Sequence, residues 1–240
     1  MKDSAAGVDD LGSTGGILGQ LGFSGCVRLP THVDAERIAA ELARLPAGAW
    51  TTNDRDPFVH SDVHSIHALG ERRGRIVVHT DDLPVLASLP ALREAVRADL
   101  PGNPRRVVVA RLPPGGFIPR HTDFPGFYTD TIRLSICITS DAGVRLHCAG
   151  YWYTMQPGEV WAIGNLAPHA VVHRGQLPRI HAIVDVEPDE TLLALVRAGD
   201  ADLGAVDTAA ELRLRLRTWL RSVRARTPFA AARPDAGRLS

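Results

Sequence analysis

Lysine is almost absent from this 240-residue chain: Lys2 is the only one, and arginine supplies the remaining positive charge. With abundant alanine, glycine and proline, this reflects the base composition of a gene more than a functional demand. There is also no charge excess, since 27 basic and 27 acidic residues give a formal net charge of zero. That balance argues against a nucleic-acid-binding surface and against an acidic solvating tail. No run approaches the roughly 20 apolar residues of a membrane span. The N-terminus lacks the compact apolar segment of a signal peptide. Cysteine is scarce and odd in number (Cys26, Cys137, Cys148), with no CxxC pair, which argues against a disulfide framework or a zinc ribbon. Cys137 lies in an apolar run and is expected to be a small core residue. Reduced thiols and the missing leader predict a cytoplasmic protein with no membrane and no nucleic-acid partner.

What is present is an ordinary apolar fraction of 45%, enough for one sizeable core. Residues 1–16 are rich in Gly, Ser and Asp and are expected to be flexible. Ile38, Leu42 and Leu45 recur at helical spacing over 33–45, with Thr31 or Asp34 as candidate caps. Residues 50–70 show no clear period and read as a long loop. Residues 75–79 read as a strand, and 83–100 as one or two helices ended by Pro101-Gly102. From Arg106 the texture changes. Eight short β-rich runs follow, RRVVVARL, GFIPRH, DTIRLSICIT, VRLHC, YWYTM, EVWAI, HAVVH and RIHAIVDV, separated by turn residues such as Pro157-Gly158. That pattern predicts a mainly β fold, an eight-stranded double-stranded β-helix (jelly roll, cupin-like) with flanking helices. After Pro188 the pattern is helical again. The predicted organisation is a flexible 1–16, α/β elements at 17–104 covering the barrel, a β core at 105–187, C-terminal helices at 188–225 and a flexible tail at 226–240.

The chemistry-bearing feature is His121-Thr122-Asp123. Residues two apart at a strand end point to one side, so an imidazole and a carboxylate face one cation together. Two histidines and one carboxylate on one face form the facial triad of non-haem iron(II) enzymes. His169, which opens HAVVH, is the candidate for the second histidine. An HxD alone is weak evidence; its place at the end of a β run after a Gly-Gly turn strengthens it. A 2-oxoglutarate cosubstrate needs a bidentate cation for its far carboxylate, and Arg179, ten residues after His169, is placed for that. Taken alone, Arg179 reads first as a surface arginine at a strand start; the triad beside it favours the ligand role.

The stretch from His121 to Asp185 resembles the aspartyl/asparaginyl β-hydroxylase superfamily, and within it the bacterial proline-hydroxylase-like branch. The matching text is RLPPGGFIPRHTD, IRLSICIT and PGEVWAIGNLAPHAVVHRGQLPRIHAIVDV, over roughly residues 105–187. The resemblance implies a double-stranded β-helix, Fe(II), 2-oxoglutarate and O2, with His121, Asp123 and His169 on the metal and Arg179 on the cosubstrate. It departs from the pattern where Ser135 replaces a histidine and Gly164 replaces the first of two asparagines, Asn165 being the second. By the same resemblance, Asp123 favours hydroxylation over halogenation, since related halogenases carry a small residue there.

Further candidates are graded by their surroundings. Arg133 and Ser135 share one strand face and are candidate contacts to the cosubstrate, with Arg133 also a candidate for the substrate. Trp50, His67 and Tyr128 are candidate pocket walls. His60 and His64 share the early segment with His67. His173 is expected at a solvent-facing strand end, His181 as a hydrogen-bonding neighbour of the site, His147 as structural, and Trp152 and Trp161 as core. The expected activity is hydroxylation of an amino acid or amino-acid-derived molecule, with a peptidyl or carrier-bound residue as an open variant. A non-oxygenase metal cupin enzyme, or an inactive binding protein on the same fold, are the competing readings.

Overall fold

A computed structural model describes residues 16–52, 57–60, 62–73, 76–123 and 128–226. The segments expected to be flexible, 1–16 and 226–240, lie almost wholly outside them. Among the described residues there are twelve strands: β1 (Cys26–His32), β2 (Thr51–Thr52), β3 (His64–Arg73), β4 (Ile76–Asp82), β5 (Asn103–Leu112), β6 (Phe117–His121), β7 (Ile132–Thr139), β8 (Val144–Cys148), β9 (Tyr151–Tyr153), β10 (Glu159–Ile163), β11 (His169–His173) and β12 (Arg179–Glu187). The helices are α1 (Gly16–Gln20), α2 (Ala35–Ala43), α3 (Pro57–His60), α4 (Pro90–Glu94), α5 (Glu190–Arg197) and α6 (Thr208–Arg226). All eight strands predicted from Arg106 onward are present, as are the helices on either side.

The strands form two antiparallel sheets. The larger runs β1-β10-β7-β12-β5-β3-β2, with β4 on β3, and the smaller runs β6-β11-β8-β9. The eight strands β5 to β12 alternate between the sheets in pairs, which is the double-stranded β-helix. The N-terminal part does more than cover this core. It adds β1 to one edge and β2, β3 and β4 to the other, while α2 and α4 pack against the outer face. The expected loop over 50–70 is a correction: seven residues of it, 64–70, begin β3. The alternation there is real but short, because Ser65 and His67 oppose Ala110 and Val108, and the register shifts before Leu69.

Period-two patterning sorts the large sheet. Val107, Val109, Leu134, Ile136, Ala182 and Val184 join the core under the helices with Ile38, Leu42 and Leu92. The residues between them turn toward the small sheet, where Ala110, Leu112, Cys137 and Trp161 pack against Ile118, Leu146 and Val171. A third cluster, Phe117, Trp152, Ala170, Ala210 and Leu214, seats α6 on the small sheet's back. Local chemistry supports each element. Asp34 caps α2 by accepting from Arg37 N at 2.9 Å, and Asp189 caps α5 by accepting from Leu192 N at 2.8 Å. The buried Glu41 accepts from Ala91 N and so caps α4 across the helix layer. Ala149 and Gly150, with φ of 52° and 93°, form the two-residue turn of the β8–β9 hairpin. The three cysteines are buried and free. Among the described residues, no helix is long and apolar enough to cross a membrane.

Candidate metal centre

The mouth of the small sheet brings the predicted triad together. β6 ends on His121 and β11 begins on His169, and these two are cross-strand partners. Their rings lie 4.2 Å apart, centroid to centroid. Asp123 follows β6, and its backbone is pinned where its N–H donates to Asn165 O at 3.1 Å. One donor atom from each of His121, Asp123 and His169 falls within 4.8 Å of the others.

Both imidazoles are held in the same way. His121 Nδ1 donates to Pro119 O at 2.9 Å and His169 Nδ1 to Ala167 O at 3.0 Å. With Nδ1 carrying the proton, Nε2 is the lone-pair nitrogen, as a metal-ligating histidine requires. Nε2 of His121 lies 3.7 Å from Asp123 Oδ1. Asp123 Oδ2 is taken up by the Arg133 guanidinium and by Asn165 Nδ2, the latter at 3.0 Å. This leaves Oδ1 as the donor on the histidine side. Burial opposes ionisation of Asp123, but Arg133, His169 and Asn165 outweigh it and hold the carboxyl well below the usual range. Burial, with His121 beside it, pushes His169 down to about 4, so it is neutral at pH 7. Two imidazoles, each with Nε2 free of the backbone, and one carboxylate on one side, with open space opposite, fit a divalent transition metal of the iron class.

The open side is a cavity of about 620 Å³ between the sheets. Arg179 lies on its wall, on β12 of the large sheet. That strand does not pair with β11; it faces it across the sandwich. Arg179 is buried, and among the described residues its guanidinium has no hydrogen bond or ion pair. Burial pulls its pKa down to about 10. A buried, unpaired guanidinium is costly unless a ligand anion completes it, so this residue fits a carboxylate-bearing cosubstrate.

Other candidates fall in several places. Arg133 lines the cavity, yet Asp123 and Asp185 both engage it, the latter through Nε at 2.8 Å and Nη2 at 3.3 Å. Its geometry is that of a group holding the Asp123 carboxylate, with three of its five N–H donors taken by Asp123 and Asp185. Ser135 also lines the cavity, with Oγ 2.8 Å from His181 Nδ1. Burial, then the nearby Arg179, drives His181 well below its ordinary pKa, which keeps it neutral. Tyr128 is a cavity wall, its ring 4.5 Å beneath the Arg133 guanidinium, and His67 lines the cavity from β3. Trp50 is a correction: it stacks on Arg111 at 4.4 Å and packs into the helix-side core, away from the cavity. His64 opposes Arg111 on that same outer face. The His60 side chain lies outside the described residues. His173 is a second correction. Its strand end is folded over by the next turn, so the ring is buried, bonding Leu177 O at 2.7 Å and Gly175 N at 3.1 Å. Trp152 and Trp161 are buried as expected.

Asp185 and Arg106 were not singled out from the sequence. Arg106, Asp185 and Arg133 are cross-strand neighbours on β5, β12 and β7, one beside the next. Asp185 has no solvent exposure, and Arg106 Nη1 donates to its Oδ2 at 3.2 Å. The available signal was the period of two, which puts 106, 185 and 133 on the face carrying Ser135.

The sequence profile of the family described as Aspartyl/Asparaginyl beta-hydroxylase matches residues 77–188, the span that carries the triad, Arg133 and Arg179. Over that span the chain is similar to the aspartyl/asparaginyl β-hydroxylase family. The chain is also similar to solved structures. An oxidoreductase of the 2OG-Fe(II) oxygenase family from Burkholderia pseudomallei is 20% identical with a TM-score of 0.50, covering 85% of this chain and 98% of that one. A prolyl-4-hydroxylase from Pseudomonas putida is 17% identical with a TM-score of 0.43, covering 72% of this chain and 97% of that one. The first of these likenesses supports the shared fold. No curated protein sequence matches the chain.

Proposed function

We propose that the chain is an Fe(II)- and 2-oxoglutarate-dependent dioxygenase that hydroxylates an unactivated C–H bond of an amino acid or amino-acid-derived molecule. The observation that carries this reading is Arg179. A buried cation without a partner, on the wall of the cavity that also holds a two-histidine, one-carboxylate set, asks for a small dianion beside a metal. A metal-dependent isomerase on the same fold has no use for it.

In this reading His121, Asp123 and His169 hold the ferrous ion. When bound, iron and 2-oxoglutarate supply the activation of O2 and the oxidation of the C–H bond, with release of succinate and CO2. The protein's own contribution is orientation. The carbonyls of Pro119 and Ala167 fix the imidazole tautomers. Arg133 and Asn165 hold one carboxylate oxygen of Asp123 and aim the other. Arg179 receives the far carboxylate of the cosubstrate, and the apolar walls at Val108, Ile118 and Ile183 keep bulk water out of the cavity.

The test is anaerobic reconstitution with Fe(II), followed by a screen of free amino acids, their derivatives and short peptides with O2 and 2-oxoglutarate. Succinate formation with a mass gain of one oxygen on one member is the expected result. Metal binding with no succinate from any member, and none in the substrate-free reaction, would reject the reading.

A further inference from the structure

Charge on the inner face of the large sheet is arranged with a regularity that the metal and cosubstrate do not use up. Arg106, Asp185 and Arg133 stand in a row across three neighbouring strands, and Arg133 continues the row to Asp123. These four alternate in sign and cancel. Arg179 adds one positive charge. In the oxygenase reading, on which this inference rests, a ferrous ion adds two and 2-oxoglutarate removes two, while the ligand histidines are neutral. One positive charge is left without a counterion in a sheltered cavity, where an unbalanced charge is expensive.

The outer end of the row is the place for the missing anion. Arg133 is engaged by two carboxylates and Asp185 is fully enclosed between two arginines. Arg106 lines the cavity, its side chain is 19% exposed, and among the described residues its only hydrogen bond is the single one to Asp185. A guanidinium bonded through one nitrogen keeps donors for a bidentate carboxylate. Strands about 4.8 Å apart set Arg106 roughly 10 Å from Arg133, on the side of the cavity away from the metal carboxylate. Between it and the Arg179 end, the cavity wall carries His67, opposite Val108, and then Ser65, opposite Ala110, both on the added strand β3.

We propose that Arg106 receives a free carboxylate of the substrate, so that the molecule hydroxylated is an unblocked carboxylic acid and not a residue inside a peptide or a thioester-linked chain. The spacing also implies that the oxidised carbon lies several bonds from that carboxylate.

The experiment uses the full chain loaded with Mn(II), without O2, so that binding is read apart from turnover. Calorimetry first measures 2-oxoglutarate. It then measures, with 2-oxoglutarate present, a panel of free L-amino acids and the methyl ester and carboxamide of each. At least one free acid is expected to bind about tenfold or more tightly than its ester and amide. Arg106→Gln should erase that preference and Arg106→Lys should keep part of it, both with 2-oxoglutarate affinity held within about twofold, which shows the fold and the metal side intact. Equal binding of acid, ester and amide, an acid preference that persists in Arg106→Gln, or no free acid bound while 2-oxoglutarate binds, would each overturn the inference. Failure of 2-oxoglutarate itself to bind would remove the oxygenase reading first, and this inference with it.

Discussion

Arg133 bridges Asp123 and Asp185, so the carboxylate proposed to bind the metal is tied to the middle of the large sheet through one guanidinium. The two aspartates belong to different structural units, one beyond the end of β6 and the other within β12. Replacing Arg133 with Gln leaves both acids buried and poorly compensated. The expected costs are about 3–5 kcal/mol of stability and about 10–100-fold in metal affinity. A urea titration and a Mn(II) titration followed by electron paramagnetic resonance measure the two effects. Unchanged metal affinity would show that the bridge does not position Asp123.

Asp123→Ala removes the one anionic ligand and leaves Arg133 to Asp185 alone. Succinate formation should fall to background while far-ultraviolet circular dichroism remains native. A variant with full activity would refute the metal assignment of His121, Asp123 and His169.

Arg179→Met replaces a buried, unpaired cation with an apolar chain of similar length. Ligand-free protein should become more stable, by about 1 kcal/mol or more, because nothing among the described residues compensates the charge. The same change should eliminate the thermal shift produced by 2-oxoglutarate in Mn(II)-loaded protein, and in turnover it should raise the cosubstrate requirement. A variant that loses stability and keeps the shift contradicts the assignment.

His147 offers a pH prediction independent of the metal. Its ring packs 5.0 Å from Trp152, and among the described residues neither ring nitrogen has a hydrogen-bond partner. Burial lowers its pKa from the ordinary value of 6.5. Below that value the unfolded chain takes up a proton that the folded chain refuses, so stability is retained above pH 6.5 and lost as pH falls toward the folded pKa. His147→Phe should flatten the decline in melting temperature between pH 7 and 5.5. An identical decline in both proteins would place the acid sensitivity elsewhere, His181 being the next buried imidazole.

Much of this was legible in the residues. Strands β5 to β12 announced themselves because their turns carry Gly, Pro and Asp and their interiors alternate. The convergence of His121, Asp123 and His169, and the place of Arg179 on the cavity wall, were legible because metal and diacid chemistry restrict residue type so strongly. Less visible were residues whose meaning depends on register. Arg106 and Asp185 become members of a charged row only once β5, β12 and β7 lie side by side, and Arg133 changes from candidate ligand to brace when Asp123 is found opposite it. Trp50 and His173 misled for the same reason: which face a side chain takes, and whether a turn folds over it, follow from pairing across the sheet. The strand β3 was hidden because its cavity side carries Ser65 and His67 in place of an apolar alternation.

The small sheet and its loops carry all three proposed metal ligands, while Arg106, the large-sheet arginine Arg179 and the threonines of β2 stand opposite. In the proposed reading, oxidising power and molecular taste are housed on separate plates of one sandwich. Changes at the β2–β3–β5 margin can redirect what enters while the iron-holding plate stays as it is, which makes that margin the place where a new selectivity is cheapest to evolve or to engineer.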